Sequence, residues 1–135
     1  MTARNVQWEA KKKGLPWSIN KGFDTFLPIS NIIPKSAIPN PHAIELYLTV
    51  NNEVRQKDST ELFLFRVPEM LSAISKVMTL EKGDIILTGT PKGVGPVLPG
   101  EVMRAGIKVD GKEIEESKIE FAVEESTGAY VYAET

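Results

Sequence analysis

Cysteine is absent from this 135-residue chain, which excludes disulfides, thiolate metal sites and a cysteine nucleophile. The absence fixes no compartment, because a cysteine-free chain suits any redox poise. Histidine occurs once, at His42, which argues against a histidine-built zinc site or a Ser-His-Asp triad. Long apolar runs are missing too: Pro, Lys or Asp interrupts each candidate before the roughly 20 residues that a membrane helix needs. Nor is there an excess of one charge. Sixteen Lys+Arg against eighteen Asp+Glu leave a formal charge of −2, so neither nucleic acid nor a membrane surface is an expected partner. Repeats and low-complexity segments are lacking. Met1 is followed by polar residues with no apolar core or small-residue cleavage site, so no secretory signal is expected.

What is present is ordinary for a folded protein. With 41% hydrophobic and 25% charged residues, the chain has the composition of a soluble globular domain. Its length is about one domain, since domains run ~100–150 residues. No linker divides it.

The pattern along the chain predicts an α+β domain, mostly antiparallel, with two helices. Thr2 is placed to cap an opening helix, in which Ala3, Val6 and Ala10 recur at helical spacing. Lys11-Lys12-Lys13 suit the negative end of its dipole, and Gly14 with Pro16 stops it. Residues 15–41 read as irregular or short-stranded, with Phe23, Phe26, Leu27, Ile29, Ile32 and Ile33 as buried anchors. Ile44, Leu46, Leu48 and Val50 alternate with Glu45, Tyr47 and Thr49, which predicts a strand. Asn51-Asn52 suits a tight hairpin turn, and the polar return Glu53–Lys57 reads as an edge. A second helix is predicted from Val67, Met70, Leu71, Ile74, Val77 and Met78, with Pro68 in its first turn. Ile85-Ile86-Leu87 reads as a buried strand leading into a Gly-, Pro- and Thr-rich loop, Thr88 to Pro99. Strands are expected at Val102–Val109, turned by Asp110-Gly111, and at Ile119–Val123. Tyr130 and Tyr132 are placed to pair the tail onto the sheet.

Three clusters carry possible chemistry. Arg4 and Gln7 share a helix face and are able to hold a carboxylate or keto oxygen together. Composition alone favours the reading of both as solvated surface. Lys21, flanked by apolar anchors, would stabilise an enolate or move a proton if a cleft desolvated it; the ordinary alternative is a surface lysine. In Thr88-Gly89-Thr90-Pro91-Lys92-Gly93-Val94-Gly95-Pro96, glycines let backbone N–H groups approach a ligand and threonines add donors. It is no phosphate-binding P-loop, since the Gly-Lys-[Ser/Thr] ending is missing, and a structural turn is the competing reading. His42 reads as a surface residue rather than a general base. Glu115-Glu116 and Glu124-Glu125 read as solvated charges flanking a strand.

At these clusters the sequence resembles the fumarylacetoacetate hydrolase (FAH) superfamily, C-terminal portion, and within it the mitochondrial-type acylpyruvase and oxaloacetate tautomerase branch. The segments that carry the resemblance are Thr2–Gln7, Lys11–Trp17, Lys21–Phe26, Val54-Arg55-Gln56 and, most specifically, Gly83–Pro96. The resemblance implies an FAH-type mixed β-sandwich roll, N-terminally truncated, with residues 1–135 forming part of the catalytic domain, and a homodimer. It implies Mg²⁺ or Mn²⁺ in an intact member and a small 2-oxo acid substrate, processed through an enolate by C–C hydrolysis, decarboxylation or keto–enol tautomerisation. Carried over by position, Arg4, Gln7, Gly89 and Thr90 bind substrate, while Lys21 and Thr90 serve the chemistry. The metal ligands have no counterpart here: the upstream Glu-x-Glu pair and an aspartate directly before Met1 are missing, as is the lid His/Glu pair. Asn5 also replaces a commoner aspartate. The chain alone is therefore expected to bind metal poorly and to be inactive. The alternative is a non-catalytic binding or dimerisation module that pairs with a full-length relative. The resemblance points to mitochondria; composition leaves the cytoplasm equally open.

Overall fold

In the computed structural model, which describes residues 1–133, the chain divides into two units. One comprises Met1–Ile29 together with the segment from Glu125 onward, the other Ser30–Glu124.

The first unit opens with α1, Arg4–Lys12. Thr2 does not cap it: Ala3 occupies the cap position without a side-chain bond, and the Thr2 hydroxyl instead accepts a 2.6 Å bond from the Lys21 ammonium. Lysines fill the last turn as expected. Beyond it Gly14 N–H donates to the Lys11 carbonyl and Leu15 N–H to that of Ala10. That pair of bonds is the Schellman closure, which satisfies carbonyls the helix leaves open. A short helix that the pattern did not signal, α2, covers Ser18–Lys21, and Ala3 N–H donates to the Asn20 carbonyl at 3.0 Å. Phe23 stands 5.2 Å from Phe26 and 5.1 Å from Tyr130, edge-on to the latter. Of the six expected anchors only Phe23, Phe26 and Ile33 are half-buried; Leu27, Ile29 and Ile32 are exposed. Tyr130 thus packs against a ring rather than pairing with the sheet, and no strand is formed by Val123–Ala133.

The second unit is built on one antiparallel sheet. β1 (Glu45–Val50) turns through Asn51 and Asn52, both at positive φ (50° and 68°), into β2 (Glu53–Ser59). Asparagine tolerates that conformation, and such a turn matches the strands' twist. The register slips between Leu48 and Thr49, leaving Arg55 as the extra residue of a bulge in β2. The helix α3 spans Val67–Ser75, three residues short of the predicted stripe's end. Val77 and Met78 are exposed, as is Leu71, while Met70 and Ile74 are half-buried. The α3 start is closed from two sides: the Glu69 carboxylate accepts from Arg66 N–H at 2.9 Å, and His42 Nε2 accepts from Val67 N–H at 3.0 Å. His42 therefore has a structural task.

β3 (Val102–Val109) pairs with β1; β4 (Lys112–Glu113) and β5 (Ile119–Ala122) both pair with β3, giving the order β2-β1-β3-β4 with β5 beside β3. Every pairing is antiparallel. Asn51 ties the hairpin to β3, its backbone and side chain each bonding Val102 at 2.9 Å. Tyr47 lies opposite Gly106 and covers it so closely that a β-carbon there would meet the ring at 2.8–3.0 Å. The Tyr47 hydroxyl donates to the Glu113 carboxylate. Val50 and Met103 form the buried apolar centre, and buried Thr60 and Ser117 bond to backbone at Ile44 and Ile107.

One strand expectation fails. Ile85-Ile86-Leu87 joins no ladder, and Ile85 and Leu87 are 58% and 63% exposed. A strand exists only through its neighbours' hydrogen bonds, and among the described residues none runs beside it.

Candidate functional site

Helical spacing puts Arg4 and Gln7 on one face of α1, and together they line a cavity of about 280 Å³ with Trp8, Lys11 and Trp17. These are the chain's two tryptophans. The Schellman closure turns the chain back after Lys13, which brings Trp17 to the mouth that α1 forms. Donors are plentiful there: a planar guanidinium, an amide and an ammonium, with two indole walls. That set accepts oxygen atoms bearing negative charge and flat carbon skeletons between them. Trp8 also takes the Lys11 and Lys12 ammonium groups at 5.7 and 5.8 Å from its ring, a cation–π arrangement that keeps positive charge at this face.

Lys21 closes α2 in the same unit. It is exposed, so the desolvated lysine considered from sequence is not what the unit presents. One of its three N–H donors goes to Thr2. It shares its surroundings with the Met1 ammonium, which donates to the Phe26 carbonyl; burial first, and the Lys21 charge second, push the Met1 amine below its ordinary range. Next to Lys21, Asn20 is 1% exposed, and among the described residues neither its Nδ2 nor its Oδ1 has a hydrogen-bond partner.

Thr90 and Gly89 lie in the sheet unit, on the loop expected from sequence. The loop is pinned to β2 by a residue whose role sequence reasoning missed. Gln56 Nε2 donates to Thr90 Oγ1 at 2.9 Å, to the Pro91 carbonyl at 2.7 Å and to the Lys92 carbonyl at 3.2 Å. Thr90 accepts that bond, and its own O–H remains a donor. Gly93 (φ +95°) completes the docking: its α-carbon sits so close to β2 that a β-carbon would stand 1.9 Å from the Arg55 carbonyl oxygen. Arg55 is the bulged residue, so the register slip is what turns this carbonyl to the loop. Bulge, glutamine and glycine together hold Thr90 in one place. No local signal in β2, Glu53-Val54-Arg55-Gln56-Lys57-Asp58-Ser59, announced this role.

The depression at Glu45, Lys57, Asp58 and Lys108, about 460 Å³, contains none of the expected residues. Its charges answer one another, Glu45 lying 3.3 Å from Lys57 and 3.7 Å from Lys108. Among the described residues no three His, Cys, Asp or Glu side chains converge as a bound metal would require. Hard divalent cations need several oxygen ligands at once, so the donor set here does not by itself fit Mg²⁺ or Mn²⁺.

The family profile for the fumarylacetoacetate (FAA) hydrolase C-terminal region matches residues 1–120. The mitochondrial oxaloacetate tautomerase oaa1 of Schizosaccharomyces pombe is 55% identical over 125 residues, covering 92% of this chain and 57% of that protein. Human mitochondrial oxaloacetate tautomerase FAHD1 is 54% identical over 107 residues, covering 79% and 48% respectively. In the crystal structure of yeast ynq8, a fumarylacetoacetate hydrolase family protein, 98% of this chain superposes on 57% of that one, with a TM-score of 0.90 and 43% identity. The chain spans about half the length of the curated relatives it matches. A profile match across residues 1–120, with the fold shared at that TM-score, means that this chain belongs to the fumarylacetoacetate hydrolase family, whose C-terminal region it represents.

Proposed function

We propose that this chain supplies the substrate-holding part of a family enzyme acting on a small 2-oxo acid, with oxaloacetate as the first candidate. The observation that carries this reading is the Arg4–Gln7 cavity. A guanidinium holds a carboxylate through two parallel N–H donors, and the adjacent amide donates to the 2-oxo oxygen. The names of the fission-yeast and human relatives supply the candidate substrate and the reaction, interconversion of its keto and enol forms. In that reaction a proton leaves C3 and the 2-oxo oxygen gains negative charge. The cationic donors of this face favour the charge where it develops. Lys21, with two ammonium donors beyond the one Thr2 takes, suits the same oxygen. No step here is routed through a metal, because these residues do not assemble its ligands. The family's Mg²⁺ or Mn²⁺ would require carboxylates beyond those described. For the same reason we propose that the chain alone does not turn over oxaloacetate. The compartment is proposed as mitochondrial, after the relatives' names; no helix among the described residues is long and apolar enough to cross a membrane.

Both tryptophans line the cavity, so their emission reports binding. Titration with oxalate, a planar dicarboxylate resembling the enolate end of the substrate, is expected to change the fluorescence saturably. Arg4→Ala is expected to weaken binding about 10- to 100-fold, since a hydrogen bond to a charged group contributes roughly 1.5–3 kcal/mol. Equal affinity in the wild-type chain and Arg4→Ala would overturn the assignment.

A further inference from the structure

The helix α1 begins without any side-chain cap bond, although Thr2 stands just before it with a hydroxyl suited to the purpose. That hydroxyl is committed elsewhere, accepting the Lys21 ammonium at 2.6 Å. A backbone bond lies beside it: Ala3 N–H donates to the Asn20 carbonyl at 3.0 Å. Thr2 thus stands opposite Lys21 and Ala3 opposite Asn20, all within the first unit.

The Thr2–Lys21 bond adds little to stability, because Lys21 is exposed and a hydrogen bond formed in exchange for one to water has a small net effect. Its effect is on orientation. A lysine side chain has many rotamers, and a free ammonium samples them all. Threonine is branched at its β-carbon, which restricts χ1 and with it the place of the hydroxyl. The neighbouring Ala3–Asn20 bond fixes the backbone that carries both groups. An ammonium held there by one N–H keeps two others in defined directions. Ala3 leads directly into Arg4, the first residue of α1, so these two bonds also tie the ammonium to the helix that carries Arg4 and Gln7.

We infer that Thr2 is a positioning residue for Lys21. It holds Lys21 Nζ in a fixed relation to the start of α1, so that an anionic ligand at Arg4 meets an ammonium already oriented. The gain is in pre-organisation, since the ligand no longer has to order a rotamer-rich side chain. This inference rests on the reading in which Lys21 serves the 2-oxo oxygen, and adds the residue through which Lys21 is held.

Two measurements test it. In the ligand-free chain, carbon relaxation of the Lys21 Cε methylene is expected to show more order than that of Lys76, an exposed lysine whose ammonium has no partner among the described residues. Thr2→Val keeps the branched shape and removes the acceptor, and should bring Lys21 down to the Lys76 value; Thr2→Ser should restore it. Oxalate binding, followed by tryptophan emission, should weaken about 3- to 10-fold in Thr2→Val, the scale of ordering one side chain, and less than about twofold in Thr2→Ser. In a Lys21→Met background Thr2→Val should have no further effect, whereas a merely structural role for Thr2 would weaken binding there too. The inference is overturned if Lys21 Cε is as mobile in the wild type as in Thr2→Val. It is overturned equally if Thr2→Val binds oxalate normally while Lys21→Met does not, or if Thr2→Val weakens binding to the same extent with and without the lysine amine. Failure of the underlying reading has its own signature: Lys21→Met binds oxalate as tightly as the wild type, while the order of Lys21 Cε still responds to Thr2→Val. That result removes Lys21 from the 2-oxo oxygen and the inference with it.

Discussion

Replacing Gly93 with alanine should release the Thr88–Pro99 loop from β2. The new β-carbon would lie 1.9 Å from the Arg55 carbonyl oxygen and 3.0 Å from its carbon, against an ordinary carbon–oxygen approach of about 3.3 Å. The carbonyl has little room to retreat, because Val54 and Gln56 on either side are held in register by Thr49 and Leu48. The loop is the part that gives. As it lifts, Gln56 loses its bonds to Thr90, Pro91 and Lys92. An amide has two N–H groups, and at roughly 0.5–1.5 kcal/mol net for each bond the loss comes to about 1–3 kcal/mol. Urea unfolding measures that sum, and backbone relaxation at Thr90 should fall from a rigid order parameter near ~0.85 to below ~0.6. Gln56→Leu severs the same bonds by another route, so the double variant should cost scarcely more than either single one. Strictly additive costs, or a Thr90 that stays rigid in Gly93→Ala, would refute the view that bulge, glutamine and glycine act as one clamp.

Other outcomes are equally specific. The Tyr47 phenol, pushed up to about 12 from its ordinary 10 by burial and then by its bond to Glu113, should titrate near that value in ultraviolet absorbance. Its contribution to stability is complete below pH ~10 and lost as pH rises through the folded value. Glu113→Gln should lower the phenol part of the way only, since burial is the larger cause. Glu113 itself is held below the usual carboxylate range by Tyr47 and then Lys118, so its contribution is present at neutral pH and lost on acidification through its folded pKa. Removing the imidazole in His42→Ala leaves Val67 N–H without its acceptor, and a loss of about 1 kcal/mol in urea unfolding is expected, as for other lost helix caps.

Short-range signals survived the step from sequence to structure. The Asn51-Asn52 turn, the Asp110-Gly111 turn and the polar edge strand β2 are all where their residues place them, because each is decided by neighbours within a few positions. Thr2 misled for a distal reason: an ammonium nineteen positions away competes for the hydroxyl that would otherwise cap α1. The Ile85–Leu87 pattern is that of a strand covered on both faces, and no strand among the described residues runs beside it. At the candidate site, the shared face of Arg4 and Gln7 was legible in their spacing, and the loop carrying Thr90 in its glycines and prolines. Gln56 was not, since its role depends on a register slip in β2 that no local pattern announces. Trp8 and Trp17 were overlooked similarly; only the backward turn after Lys13 makes them walls of one cavity.

The first unit is gathered from both ends of the chain, with the sheet unit lying between them in sequence. Its edge-to-face pair, Phe23 with Tyr130, spans most of the polypeptide. The entropy of bringing two such distant positions together grows with the length of free chain between them. Once the sheet has formed, the stretch from Glu45 to Ala122 no longer behaves as free chain, and the effective loop shrinks to residues 24–44 and 123–129. A temporal order results. The sheet forms first, and the ring pair of Phe23 with Tyr130 closes after it at lower entropic cost.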